Sequence, residues 1–174
     1  MARIAWGITG AGHFLTECVD LLSGLAEVDV FMSKAAEDVV RMYRLEERLA
    51  SNPRLYRESR ALASAPQIAR FFRGDYDCLV VAPATGNTVA KLACGIADSL
   101  ISNLFAQAGK CRVPIIILPT DVAPEMDSPG PKGGLVKVYP RPVDLRAVDR
   151  LGAFPGVTVT RSIAELRTAL ERAG

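Results

Sequence analysis

Arg3-Ile4-Ala5-Trp6-Gly7-Ile8-Thr9-Gly10-Ala11-Gly12-His13 joins a short apolar run to a cluster of small residues, and the reading of this stretch decides the fold. Arg3 to Thr9 has the composition of a strand that ends in glycines. Phe14 to Leu25 then carries Phe14, Val19, Leu22 and Leu25 at helical spacing, so the segment predicts strand, tight turn and helix.

Outward from it the alternation continues. Val28 to Met32 reads as a second strand with Ser33 at its end. Ala35 to Leu49 reads as one helix with Glu37, Asp38, Arg41, Arg44 and Glu47 on its charged face. Asn52-Pro53 breaks it, residues 50 to 65 have no clear pattern, and Pro66 can open a helix over Gln67 to Phe72 that stops before Gly74. Tyr76 to Ala82 and Val113 to Leu118 are nearly continuous apolar runs, as expected of parallel strands covered on both faces. Thr88 to Ala108 is a long helical region with a break at Gly95, and Asp98 is placed to start its second half. Pro119 to Gly134 reads as a long Pro- and Gly-rich loop, of a length often used for lids or binding. Leu135 to Tyr139, a short helix near Val143 to Leu151, Val157 to Thr160 and a helix over Ile163 to Ala173 follow. The pattern predicts one α/β domain over residues 1 to 174, a three-layer, Rossmann-like, doubly wound parallel sheet.

Composition narrows the function. The 174 residues are 49% hydrophobic and 23% charged, too apolar for disorder, and 21 basic against 19 acidic residues give no field suited to coating nucleic acid. Apolar runs such as Ile115 to Leu118 fall far short of the roughly 20 residues that span a bilayer. No signal-peptide pattern precedes Gly7, so a cytoplasmic protein without nucleic-acid or membrane partners is expected. Cys18, Cys78, Cys94 and Cys111 are widely separated in apolar segments and read as small reduced hydrophobes, with no bound metal. His13 is the sole histidine, so a Ser-His-Asp or Cys-His mechanism would have to run through it. Beside a turn of this kind it reads as a positioning or packing group, and only weakly as a catalytic one. Trp6, Tyr43, Phe71 and Phe72 read as packing residues.

Three segments carry polar chemistry at strand ends. Gly10, Ala11, Gly12 and His13 open the first helix, where backbone N–H groups and the helix dipole favour a phosphate. The dinucleotide fingerprint would need glycine where Leu15 stands. Ser33 and Lys34 end the second strand in place of the acidic residue that holds a nicotinamide ribose. They suit a terminal monophosphate such as that of FMN, or the 2′-phosphate of NADP, or a tight turn and a cap alone. Pro83, Ala84, Thr85, Asn87 and Thr88 follow the third strand with neutral hydrogen-bonding groups that suit a heterocycle, or with Asn87 or Thr88 as a simple helix cap.

These motifs, with Lys91 through Gly95-Ile96-Ala97-Asp98 to Asn103 and Pro119-Thr120-Asp121, resemble the FMN-binding flavoprotein superfamily of homo-oligomeric flavin-containing cysteine decarboxylases. Within it the sequence is most similar to the dihydromethanopterin reductase (acceptor) and archaeal flavoprotein branch, over roughly residues 3 to 150. The resemblance implies a flavodoxin-like core and a trimer or assembly of trimers with FMN at subunit contacts. It places the phosphate near Gly10, Gly12, Ser33 and Lys34, and the isoalloxazine near Pro83 to Thr88. The decarboxylases' catalytic histidine and P-x-M-N-x-x-M-W clamp are absent. Thr120-Asp121 stands where the flavin prenyltransferase branch has a basic and acidic pair. The implied activity is reduction of a pterin, dihydromethanopterin to tetrahydromethanopterin, with electrons from NAD(P)H or a protein donor through bound FMN. An electron-transfer flavoprotein that docks a redox protein such as ferredoxin, or a flavin-dependent decarboxylase relative, is the alternative, and a colourless NADP-binding sensor a third. For the pterin, Asp121 or Asp127 would meet an amino group, and Lys132 or Lys137 the acidic tail.

Overall fold

The computed structural model describes residues 3–52, 54–60 and 67–173. In chain order the elements are β1 (Ile4–Ile8), α1 (Leu15–Ser23), β2 (Val28–Met32), α2 (Lys34–Met42), α3 (Glu46–Ala50), β3 (Leu55–Arg57), β4 (Cys78–Ala84), α4 (Gly86–Ala93) and α5 (Leu100–Lys110). They continue with β5 (Ile115–Pro119), β6 (Met126–Pro129), β7 (Leu135–Val138), α6 (Pro142–Gly152), β8 (Val157–Val159) and α7 (Ile163–Ala173). Six strands form one parallel sheet in the order β3-β2-β1-β4-β5-β8. Without the three-residue edge strand β3, this is the 2-1-3-4-5 order of flavodoxin-like folds. With it, the sheet takes the 3-2-1-4-5-6 order of dinucleotide-binding folds, and the reversal of winding lies between β1 and β4 in both.

The three layers follow from strand alternation. Ala5, Phe31, Leu79, Val81, Ile115 and Ile117 pack with α4, α5 and α6 in one core. Trp6, Ile8, Val30, Met32, Val80, Ala82 and Leu118 pack with α1, α2 and α7 in the other. The inner strands β1, β4 and β5 are buried on both faces, which explains their nearly continuous apolar sequences. Gly7 lets β1 approach α5 closely, since a Cβ there would lie 3.1 Å from Ile101 Cδ1.

Several expected boundaries move. The helix read over Ala35 to Leu49 is two, because Arg44 adopts a left-handed φ of 57° between α2 and α3. Asp98 does not start α5. Ser99 does, its hydroxyl accepting the Ser102 N–H while Ser102 Oγ accepts the Ser99 N–H, and Asp98 instead takes the Lys91 ammonium at 2.7 Å. Residues 119–134 are only partly loop: Met126–Pro129 pairs antiparallel with Leu135–Val138. The ribbon closes through Gly133 and Gly134, whose φ of 86° and 83° favour glycine. The expected helix at Gln67 to Phe72 is one 3-10 turn, Ile68–Arg70, and its opening residue Pro66 lies outside the described residues. Phe71 takes the inward position of that turn and leaves Phe72 67% exposed, so Phe72 does not pack. Cys18 and Cys78 are buried hydrophobes, but Cys94, at the C-terminus of α4, is exposed. Among the described residues no helix is long and apolar enough to cross a membrane.

Candidate functional site

The carboxyl ends of β1 and β4 are bound together before any ligand is considered. Thr9 is buried, and its hydroxyl donates to the Pro83 carbonyl at 2.8 Å and accepts the Thr85 N–H at 2.9 Å. Trp6 is fully buried, as expected of a core residue, and its Nε1–H donates to the Ala82 carbonyl at 2.7 Å. The turn after β1 and the turn after β4 therefore form one rigid rim at the point where the sheet reverses its winding, the usual ligand position in open α/β folds.

A cleft of about 280 Å³ opens on this rim. Its floor is Gly10, Ala11, Gly12 and His13 on one side and Thr85 and Gly86 on the other. Thr120 and Asp121 close one end, and Met126, Ser128 and Val138 of the ribbon form the outer wall. Met126 and Ser128 sit two apart, so the same face of β6 supplies both. Asp127 between them faces away and pairs with Lys137 at 3.3 Å. Lys132 is exposed at the ribbon tip.

Backbone donors are concentrated at the floor. Among the described residues, the amides of Gly10, Gly12 and His13 have no acceptor within the chain. Phe14, the residue before α1, holds a left-handed φ of 65°, an uncommon and strained conformation for a bulky side chain. Its ring lies 3.9 Å from the His13 ring. His13 Nδ1 is sealed from solvent without a partner. Burial lowers the His13 pKa below its ordinary value, against the opposite pull of Glu17 and Asp121.

The turn after β2 abuts the floor, since a Cβ on Gly10 would lie 2.6 Å from Ala35 Cβ. Ser33 Oγ accepts the Ala36 N–H at 3.1 Å, which caps α2 and leaves the hydroxyl proton free to donate. Lys34 is exposed, and its amide is taken by Glu58 at 2.9 Å. Ser33 and Lys34 thus border the cleft without lining it. Pro83 and Ala84 are buried behind the rim. Thr85, rather than Asn87 or Thr88, caps α4, its hydroxyl oxygen accepting the Thr88 N–H at 3.2 Å. Asn87 is exposed beside it.

Charge is unequally distributed along the cleft. A Cβ on Gly86 would lie 2.6 Å from Asp121 Oδ2 and 3.3 Å from Asp144 Oδ1, so two carboxylates flank the N-terminus of α4. Asp144 is buried and receives both guanidinium hydrogen bonds of Arg141 at 2.8 Å, which hold its carboxyl below the usual range. The Gly10–His13 end has the free amides, and Asp121, the one carboxylate among the lining residues, acts on His13 from across the cleft.

Tyr43 was not legible as a site residue. Its hydroxyl donates to the Pro129 carbonyl at 2.8 Å, and a Cβ on Gly12 would clash with that hydroxyl. The side chain is a strut between the first turn and the ribbon. No local pattern marks it, since its partners lie far away in sequence. Met126 and Ser128 were not signalled either, since the strand that aligns them depends on its partner β7.

The Flavoprotein family profile matches residues 1–173. A dihydromethanopterin reductase (acceptor) of Methanosarcina mazei is 44% identical over 132 residues, which are 69% of this chain and 55% of that one. The corresponding reductase of Methanocaldococcus jannaschii is 44% identical over 131 residues, 68% of this chain and 53% of its own. The chain therefore spans about half the length of these relatives. The solved structure of Burkholderia xenovorans DmrB in complex with FMN, described as a cubic protein cage for redox transfer, superimposes with a TM-score of 0.88 at 38% identity, covering 98% of this chain and 94% of that one.

Proposed function

The chain belongs to the Flavoprotein family, and on that premise we propose that it is an FMN-dependent oxidoreductase that reduces a pterin of the dihydromethanopterin type. NAD(P)H or a redox protein such as ferredoxin would supply the electrons. The observation that carries this reading is the polarity of the cleft. Free amides at Gly10, Gly12 and His13 lie at one end, and carboxylates around Gly86 at the other. An anionic tail is favoured at the first and repelled from the second, while a neutral heterocycle with N–H edges is accepted at the second.

FMN fits these residues. Its phosphate would be held by the first-turn amides together with the Ser33 hydroxyl and Lys34, and its ring would lie over Thr85 to Thr88. Bound there, FMN supplies the electron-transfer chemistry, and the protein supplies position, hydrogen bonding and access. Asp121, which lines the cleft, would accept from a pterin amino group, and Met126, Ser128 and Val138 would shield the outer side from water. Asp127 and Lys132, remote from the lining, would act only on parts of a substrate beyond the cleft.

A homo-oligomer with FMN at subunit contacts accords with the apolar side chains that the ribbon beside the cleft exposes. Leu135, Val136 and Tyr139, exposed by 72%, 57% and 67%, are large apolar side chains open to solvent on and beside the ribbon.

The decisive experiment is anaerobic stopped-flow of FMN-loaded protein. Bleaching by NAD(P)H and reoxidation by a dihydropterin are expected; reactivity only towards a protein donor and acceptor would replace the reductase with an electron carrier, and failure to bind FMN would overturn both. Ser33→Gly, which costs α2 only a few tenths of a kcal/mol as a cap, is expected to weaken FMN binding at least tenfold, because a hydrogen bond to a charged group contributes about 1.5–3 kcal/mol. Isothermal titration checks it, and unchanged affinity would remove Ser33 from the phosphate site.

A further inference from the structure

His13 is the one titratable side chain in the cleft whose two ring nitrogens meet different surroundings. Nδ1 is sealed from solvent with no partner, whereas Nε2 is not among the sealed atoms, and the residue lines the cleft. A buried N–H without an acceptor is rarer and more costly than a buried lone pair without a donor. The proton of a neutral ring is therefore disfavoured at Nδ1 and falls to Nε2. We propose that His13 is a neutral imidazole protonated at Nε2, fixed in that tautomer before any ligand arrives, and that it serves as a standing hydrogen-bond donor to an acceptor atom of the cleft's occupant rather than as its proton source.

Three features of the surroundings support this role. The Phe14 ring, held by the left-handed backbone at the start of α1, covers the imidazole at 3.9 Å and keeps it from turning towards water. The titratable groups that act on it are Glu17 of α1 and Asp121 beyond β5, both of which favour the charged ring, and burial outweighs them. A neutral imidazole also preserves its donor across the physiological range without adding charge to the floor, where the free amides already attract an anion. His13 is thus a positioning residue. Its part in ligand binding rests on the flavin reading above, whereas its tautomer does not.

Because His13 is the sole histidine, its ring nitrogens can be observed without assignment ambiguity in the whole protein. Long-range proton–nitrogen NMR of ¹⁵N-labelled, ligand-free protein at pH 7.5 is expected to show a bare Nδ1 and a protonated Nε2, with a titration midpoint below the ordinary 6.5. Adding FMN is expected to shift the Nε2 signal and slow exchange of its proton with water. A proton on Nδ1, a midpoint above 6.5, or an Nε2 signal indifferent to bound FMN would each overturn the inference. His13→Ala is expected to weaken FMN roughly 2- to 10-fold, the loss of one neutral hydrogen bond, and His13→Gln, which keeps a donor near Nε2, to restore most of it. Equal losses in both variants would reduce His13 to packing. FMN that does not bind the unaltered protein would sink the flavin reading while the ligand-free spectrum still decides the tautomer.

Discussion

At Gly12 the space a side chain would need is already filled by this chain. The motif Gly10-Ala11-Gly12 was legible as a turn at a strand end, and its glycines suggested room for a ligand. In the fold, Ala35 occupies the space above Gly10 and Tyr43 the space above Gly12, so both glycines are needed for packing and the ligand-facing property is the free amide. Gly12→Ala places a Cβ within 2.5 Å of Tyr43 Cζ. It is expected to push the ring away and cost about 1–3 kcal/mol, the range for overpacking. Gly109, inside α5 with nothing within 4 Å of its Cβ position, gives the opposite expectation. Gly109→Ala should stabilise by about 0.5–1 kcal/mol through helix propensity. Urea midpoints of the two variants against the parent check both signs. Ser33 shows the same layering: its place at a strand end was legible, but only the fold shows its oxygen engaged by Ala36 and its proton left over.

The regular elements were legible in proportion to how much of their pattern is local. β2 spans Val28–Met32 and α7 Ile163–Ala173 as their periodicity indicates, because burial on both faces in one case and a single apolar stripe in the other leave unambiguous spacing. The β6–β7 ribbon was not legible, since Met126-Asp127-Ser128-Pro129 is too short to establish alternation and its strand character depends on a partner beyond a glycine turn. The break after α2 was hidden for a similar reason: Arg44 carries a backbone twist that arginine does not advertise. Inside β2, fully buried Asp29 interrupts an apolar run, and only the fold brings the Tyr76 hydroxyl, 2.7 Å away, and Arg70 to it. The ribbon also has the weakest attachment among the elements lining the cleft, since Tyr43 supplies a long-range hydrogen bond to it at Pro129. Tyr43→Phe keeps the ring and removes that bond, at a cost of about 1 kcal/mol. The expected effect is local: faster amide exchange over residues 126–138 with the sheet strands unchanged. Uniformly faster exchange would mean that the ribbon and the sheet open as one unit.

For the whole molecule, the doubly wound parallel sheet followed from alternating apolar runs and helices, and what the sequence left open was the order of its strands, with β3 at the edge, and which side chains the layers would seal from water. Those sealed groups set the pH range of stability. His13 has a folded pKa below 6.5, so the native state prefers the neutral ring. As pH falls through 6.5 the unfolded chain binds the proton first, and stability declines towards the folded value. Nearer pH 4 a second loss begins, because Arg141 holds Asp144, Lys91 holds Asp98, and Arg73 with Arg70 holds Asp75 below the usual carboxylate range. These carboxylates contribute while ionised in both states and cease to as pH passes down through their folded values. The alkaline side has the opposite sign. Burial pushes the Cys78 thiol up to about 12 from 9.0, and Cys18 and Tyr76 are raised as well. Above pH 9 for the two thiols, and above pH 10 for Tyr76, the unfolded chain therefore releases a proton that the native core retains, and stability falls by about 1.4 kcal/mol per pH unit for each such group. Urea midpoints under reducing conditions are expected to be flat between about pH 6.5 and 9 and to fall on both sides. His13→Gln should extend the plateau downwards without altering the loss near pH 4, and Cys78→Ala should make the alkaline limb shallower even though it lowers the plateau. A midpoint that rises between pH 7 and 5.5 would mean that the native state binds the proton more tightly than the unfolded chain, the opposite of the lowered His13 pKa.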